Sequence, residues 1–200
     1  QRWRPGDGTT NVGDELNTYL WPRLLPQKFV DIPGVFFGVG TILNDTPPDA
    51  LRYVVFGAAA GYRGVPKIDN RWHVYFVRDP ITSQELGGVT WITDPGILLH
   101  HFFQPRHDYA YACSFVPRWD SISSELIEAC THVGIHVIDP RCTVEKVVGE
   151  IQSTRLLLTE ALHGAIIADT LRVPWVSIYG QRGHERKWAA WCASLEQIWN

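Results

Sequence analysis

Short apolar segments alternate with amphipathic segments along the 200 residues of the chain. The apolar segments are rich in β-branched and aromatic residues and lack strict alternation, which is typical of strands buried on both faces. Strands that alternate with helices in this way indicate βαβ units, so the predicted fold class is α/β with parallel sheets. The predicted strands cover residues 34–37, 53–56, 73–77, 90–92, 109–116, 135–138, 155–158 and 175–178.

Capping residues predict where three of the helices begin. Asp79 is predicted to cap a helix from Pro80 to Gly87. Ser121 is predicted to cap a helix over residues 122–133, and Thr143 one over residues 144–152. Pro80 suits the first helical position, and glycine at positions 87, 88 and 134 suits helix ends. The polar segment 101–108 interrupts the alternation, so we place a domain boundary there, between a half of residues 1–104 and a half of residues 105–200.

Composition and charge exclude several classes of protein. A hydrophobic fraction of 45% and a charged fraction of 20% describe an ordinary globular protein. The net charge of −3 gives no electrostatic case for nucleic-acid binding. The sequence contains no apolar run long enough for a membrane span and no signal peptide, so we expect a soluble, cytoplasmic protein.

Cysteine and methionine usage add two expectations. The four cysteines lack the spacings of a zinc site, so we expect reduced thiols and no metal. Methionine is absent, even at the first position. We therefore expect a fragment or a processed product of a longer chain.

The clearest candidate for chemistry is the segment 155–167, which predicts a buried strand ending near Thr159 and a helix that starts with His163 and Gly164. Ligands of open α/β sheets bind beyond the carboxyl ends of strands, at helix N-termini. Backbone amides and His163 would bind a phosphate or carboxylate there, and His163 could transfer a proton. A capping or core histidine beside a tightly packed glycine explains the pattern equally well, and both interpretations stay open.

Two arginines are further candidates because each follows a predicted strand. Arg78 suits bidentate binding of an anion, although a salt bridge is the more frequent role for such a residue. Arg118 follows the first strand of the second half, and Trp119 beside it offers a ring on which a sugar could stack, although most of the nine tryptophans must belong to the core.

The polar segment 11–17 contains Asn11, Gly13 and Asp14 and is predicted as a loop that leads into a helix carrying residues 19–24. Capping of that helix by Asn11 or Asp14 is the more frequent explanation for such residues. Orientation of a sugar hydroxyl by Asp14 is the alternative.

Eight segments of the sequence, taken in order along the chain, resemble polysaccharide pyruvyl transferases, especially the succinoglycan-biosynthesis type. They read NVGDELN, GVGTILND, VFGAAAGY, VYFVRDPIT, ITDPGILL, FVPRWDS, VIDPR and TEALHGAIIADTLRVPWV, and they span nearly the whole chain. The resemblance implies a glycosyltransferase-B-like architecture, with two Rossmann-like domains that face each other across a cleft.

The resemblance also implies an activity: transfer of pyruvyl from phosphoenolpyruvate to two hydroxyls of a sugar, which gives a cyclic ketal without any further cofactor. The expected acceptor is a saccharide or a lipid-linked oligosaccharide, bound by the first half at the inner face of the membrane, and the second half would bind the donor. By match, His163 and Gly164 belong to the donor site, with Arg78 and Arg118 as clamps for carboxylate and phosphate. We assign proton donation to His163 and assistance of the acceptor hydroxyl to Asp14 or Glu160.

The sequence departs from the family at Ala161, where many relatives have arginine before Leu-His-Gly. Family members also begin with a strand ahead of the segment 11–17 and continue beyond the segment 187–195, so we expect truncation at both ends. Two alternatives therefore stay open: a glycosyltransferase that uses a nucleotide sugar, and a non-catalytic remnant.

Overall fold

The computed structural model describes residues 10–25, 34–106, 108–178 and 185–199. The chain divides into two compact units. The described part of unit 1 consists of residues 17–25, 34–95 and 185–199, and that of unit 2 of residues 10–16, 96–106 and 108–178. The boundary expected between residues 104 and 105 stays a prediction.

Unit 1 contains a parallel three-stranded sheet and a parallel strand pair. The sheet has the order β1 (Val35–Phe37), β3 (Tyr53–Phe56) and β5 (Trp72–Phe76). The pair consists of β2 (Thr41–Leu43) and β4 (Ala59–Ala60). Helices α2 (Pro80–Glu85) and α6 (Glu185–Ser194) also belong to unit 1, and α2 packs against α6. A 3-10 helix over Pro95–His101 begins at the last residue of the stretch 34–95 of unit 1 and continues into unit 2.

One face of the three-stranded sheet forms the core of unit 1 through stacked aromatic rings. The ring of Trp72 lies 4.2 Å from that of Tyr53 and 5.7 Å from that of Phe37, nearly parallel to both. All three side chains are buried. Because burial of such a side chain contributes about 2 kcal/mol, this cluster fixes the sheet that carries Arg78 at its end.

Unit 2 contains a parallel four-stranded sheet with helices between its strands. The strand order is β7 (His136–Val137), β6 (Ser114–Val116), β8 (Leu157–Thr159) and β9 (Trp175–Ser177). The helices are α3 (Ser124–His132), α4 (Val144–Gln152) and α5 (Leu162–Thr170). Thr143 caps α4, as expected. The apolar stripe of α4 is also buried, as expected, and consists of Val144, Val147, Val148 and Ile151.

The predicted α/β class with parallel sheets is confirmed, and several boundaries are corrected. Residues 90–92 form one isolated bridge to Val77 instead of a strand. The strand predicted over residues 109–116 covers Ser114–Val116 only, and the pair β2 and β4 was missed. Helix α1 covers Val12–Leu24, so residues 12–17 are helical where a loop was expected.

The cap of α3 is also corrected, from Ser121 to Ser123. The hydroxyl of Ser123 accepts a hydrogen bond from the N–H of Leu126 at 3.2 Å. The N–H of Ser121 instead donates to the carbonyl of Arg118, which closes a turn before the helix. Two serines two residues apart both satisfy the capping preference, and only the turn decides between them.

Candidate functional site

The start of helix α1 is fixed by Asn11 and by a loop of the parallel sheet in unit 2. The Oδ1 atom of Asn11 accepts the N–H of Asp14 at 3.2 Å, and its amide donates to the Asp14 carboxylate. The N–H of Val12 donates to the carbonyl of Pro140 at 2.7 Å. Asn11 therefore caps the helix, as one interpretation of the sequence held, and its contact with a substrate stays a prediction.

Asp139 and Arg141 shape the loop that presents the Pro140 carbonyl. The Arg141 guanidinium donates to both carboxylate oxygens of Asp139, at 2.7 Å from Nη2 and 2.9 Å from Nε. Burial alone would raise the pKa of Asp139, but hydrogen bonds from the side chain and backbone of Arg141 outweigh it and lower that pKa. The pair stays ionised at neutral pH and holds the loop beneath the first turn of α1.

Gly13 lies directly against the ring of His163. A Cβ atom at Gly13 would overlap Nδ1 of that ring and stand 2.7 Å from its Cγ atom. His163 is the second residue of α5 and is half-buried. The structure therefore brings Gly13, in the first turn of α1, against His163, although the two residues lie far apart in the sequence.

The N-terminus of α5 follows strand β8 through a tight turn. Ala161 occupies the N-cap position and makes no side-chain capping bond. The hydroxyl of Thr159 receives the N–H of Ala161 at 3.1 Å and donates to the Ala161 carbonyl at 2.9 Å. At a helix start without a capping side chain, the positive end of the helix dipole stays available to bind an anion.

Gly164 allows α5 to approach the end of strand β8. A Cβ atom at this position would overlap Oγ1 of Thr159 and come within 3.3 Å of Val116. Close packing therefore explains why glycine stands there. A direct contact between Gly164 and a substrate stays a prediction.

Glu160 and Arg118 meet at the ends of the neighbouring strands β8 and β6. One carboxylate oxygen of Glu160 accepts the backbone N–H of Arg118 at 3.1 Å. The guanidinium of Arg118 forms a bidentate pair with Asp120, at 2.9 and 2.8 Å. An anion that binds Arg118 must therefore compete with Asp120. Trp119 between them is half-buried.

Arg78 lies in unit 1 and is buried, with only 1% of its surface exposed. Its Nε atom lies 3.3 Å from a carboxylate oxygen of Asp79, which also caps α2, and its Nη1 atom lies 3.6 Å from Asp94. Asp79 and Asp94 are equally buried. Two carboxylates thus surround one guanidinium, which leaves Arg78 little net charge for an anionic ligand.

Arg78 also borders a cavity of about 220 Å³ that belongs entirely to unit 1. Its polar lining comes from the ends of strands, from α2 and from the first turn of α6: Thr41, Tyr62, Arg78, Asp79, Thr82, Glu185, Arg186 and Lys187. Sequence reasoning missed Tyr62 and the α6 residues. A signal was present, because Arg186 and Lys187 stand at a helix N-terminus, where cations oppose the helix dipole.

Neither a cluster of metal ligands nor a membrane-spanning helix is present in the described ranges. Within those ranges, no three or more His, Cys, Asp or Glu side chains are grouped as metal ligands. The helices of the same ranges are all too short or too polar to cross a bilayer.

Comparison with known proteins assigns the chain to a family. The family model for polysaccharide pyruvyl transferases matches residues 28–182. The chain belongs to the polysaccharide pyruvyl transferase family. It is 35% identical over 195 residues to the succinoglycan biosynthesis protein ExoV of Rhizobium meliloti (strain 1021), an alignment that covers 92% of this chain. The chain spans 61% of the length of that relative.

Proposed function

We propose that this member of the polysaccharide pyruvyl transferase family transfers a pyruvyl group from phosphoenolpyruvate to two hydroxyls of a saccharide and forms a ketal. The observation that carries the proposal is the packing of His163, at the uncapped start of α5, against Gly13 in the first turn of α1. Membership of the family supports the reaction class.

The proposed donor site lies in unit 2. The start of α5 would bind the phosphate of the donor, and Arg118 would bind an anionic oxygen by displacing part of its pair with Asp120. Arg78 is not part of this donor site, because its guanidinium is already shared between two buried carboxylates. The proposed chemistry requires no metal.

The proposed reaction begins with a proton from His163 to the methylene carbon of phosphoenolpyruvate. The neighbouring carbon becomes cationic and is attacked by one sugar hydroxyl, then by a second as inorganic phosphate leaves. One hydroxyl proton replaces the proton that His163 donated, and the other departs with phosphate. Glu160 or Asp14 would accept a hydroxyl proton, since both carboxylates lie in unit 2 and are half-buried.

The finer features of the architecture and setting are part of the same proposal. The two units would face each other across a cleft, as in glycosyltransferase-B-like enzymes, and the acceptor would be a free or lipid-linked oligosaccharide. The cytoplasmic location and a contact with the membrane stay predictions.

The first test measures thermal unfolding with phosphoenolpyruvate and with a panel of nucleotide sugars, because a ligand that binds only the folded state raises the midpoint. We expect an increase with phosphoenolpyruvate alone, and its loss in His163→Ala. His132→Ala is the matched control, since His132 ends α3, away from α5 in the chain.

Turnover is then measured as release of inorganic phosphate in the presence of an oligosaccharide acceptor. His163→Ala should abolish release while its far-ultraviolet circular dichroism stays unchanged. A stabilising nucleotide sugar would point to glycosyl transfer instead, and a fully active His163→Ala variant would remove His163 from the mechanism.

A further inference from the structure

We propose that the cavity of unit 1 is a subsite for one pyranose ring of the acceptor saccharide, with Tyr62 as its stacking platform. This inference rests on the proposed function for the identity of the saccharide as acceptor. Its structural basis is separate, because the cavity is lined only by residues of unit 1.

The size of the cavity suits a single small ligand. Pockets for drug-sized molecules measure roughly 300–1,000 Å³. At about 220 Å³ the cavity of unit 1 is smaller, which fits one six-membered sugar ring better than a nucleotide sugar.

Charge around the cavity favours a neutral, hydroxyl-rich ligand over an anion. The lining contributes three cations, Arg78, Arg186 and Lys187, and two carboxylates, Asp79 and Glu185. Two more carboxylates compensate these cations: Asp94 pairs with Arg78, and Glu85 pairs with Arg186. A phosphate would enter a region whose positive charges are already matched, whereas sugar hydroxyls can bind charged donors and acceptors alike.

Hydrogen-bonding capacity is present on the wall formed by strand β2 and helix α2. Asp79 accepts the N–H of Thr82 on one oxygen at 2.7 Å and Arg78 on the other at 3.3 Å. A carboxylate offers about four acceptor sites, so each oxygen keeps capacity for a sugar hydroxyl. The hydroxyl of Thr41, 3.4 Å from the Arg78 guanidinium, adds a donor to the same wall.

Tyr62 supplies the apolar element that sugar recognition requires. Its side chain lines the cavity and is 61% exposed. An aromatic ring offers an apolar face to the C–H groups of a sugar while its hydroxyl bonds to water or ligand. An exposed aromatic ring beside paired charges therefore suits a pyranose.

Helix α6 completes this subsite from the opposite end of the chain. The Arg186 guanidinium pairs with Glu85 at the end of α2, and the hydroxyl of Ser194 lies 2.8 Å from that of Thr93. Both contacts fasten α6 onto unit 1, so its first turn forms a fixed wall of the cavity.

Ligand-observed NMR with methyl β-glucopyranoside, methyl β-galactopyranoside and inorganic phosphate tests the subsite on the full chain. We expect one of the pyranosides to bind. Tyr62→Ala should lower the affinity for that pyranoside by about two- to tenfold. Tyr75→Ala is the matched control, because Tyr75 is 63% exposed and does not line the cavity. Arg186→Gln should also weaken binding of the pyranoside.

The outcomes separate the subsite from the proposed function. Absence of pyranoside binding, an equal effect of Tyr62→Ala and Tyr75→Ala, or Tyr62-dependent binding of phosphate would each overturn the subsite. Pyruvyl transfer that continues under any of these results would leave the proposed function standing. Tyr62-dependent pyranoside binding without any pyruvyl transfer would confirm the subsite and refute the function.

Discussion

The ring of His163 packs against the backbone of Gly13, at a position where a Cβ atom would stand only 2.7 Å from Cγ of the ring. Gly13 lies inside helix α1, and its φ is not among the positive values that only glycine adopts easily. The contact with His163, and not the backbone conformation, is therefore what requires glycine at this position.

Gly13→Ala should displace the imidazole while leaving the protein folded. Alanine favours the helix by about 1 kcal/mol over glycine, which offsets part of the cost of moving the ring. Because a displacement of about 1 Å can cost roughly a hundredfold in rate, we expect kcat for phosphate release to fall by that order. Steady-state kinetics and thermal unfolding measure the two effects separately.

Gly149→Ala is the matched control for this substitution. Gly149 lies inside α4, and a Cβ built there has no atom within 4 Å apart from its chain neighbours and the backbone of its own helix. We expect it to gain about 0.5–1 kcal/mol of stability with unchanged kcat. Full activity of Gly13→Ala would show that the position of His163 is not critical.

Gly164→Ala should destabilise unit 2 because the new methyl group meets Thr159 and Val116 at the end of the sheet. Overpacking of this kind costs about 1–3 kcal/mol. The cost should shrink in a Thr159→Ala background, which removes the overlapping hydroxyl. Urea unfolding of the four variants in this cycle measures the coupling, and strictly additive effects would contradict the packing argument.

Local side-chain bonds explain which helices could be predicted from the sequence. Asp79 and Thr143 each accept a backbone N–H three residues ahead, so the signal and its partner lie within one turn. The predicted start of helix α1 is too late because Asn11 and Gly13 are typical of loops. Its buried side chains Val12, Leu16 and Leu20 recur every four residues, which was the signal for an earlier start.

Long-range contacts explain what could not be predicted. Strand β4 consists of two alanines, which have no preference for strands, and forms only because β2 lies beside it. The placement of His163 at a helix start followed from the alternation of strands and helices. Its contact with Gly13 joins distant parts of the chain and carries no local signal. Arg186 and Lys187 at the start of α6 are a local signal, but only the folded chain shows that they line the same cavity as Arg78.

Arg78→Ala should be one of the most destabilising single substitutions in unit 1. It would leave Asp79 and Asp94 buried without their shared guanidinium, a loss of about 3–5 kcal/mol. Arg118→Ala is the comparison, since the pair of Arg118 with Asp120 is partly exposed and is worth at most about 1 kcal/mol. Chemical denaturation measures both, and equal losses would contradict the role of burial.

Arg141→Ala should raise the pKa of Asp139, because burial then acts without the hydrogen bonds that now lower that pKa. A carboxylate whose pKa is lowered on folding stabilises the protein above its unfolded pKa, and that stability is lost as the pH falls through the lower folded value. In the wild-type protein this loss therefore begins below an unfolded pKa of about 3.8. In Arg141→Ala, the pKa of Asp139 in the folded protein lies closer to its unfolded pKa or above it. The stability that this carboxylate contributes at neutral pH therefore shrinks or reverses. Titration of the Asp139 carboxyl carbon by NMR measures the shift directly. An unchanged pKa would show that the hydrogen bonds of Arg141 do not lower the pKa of Asp139.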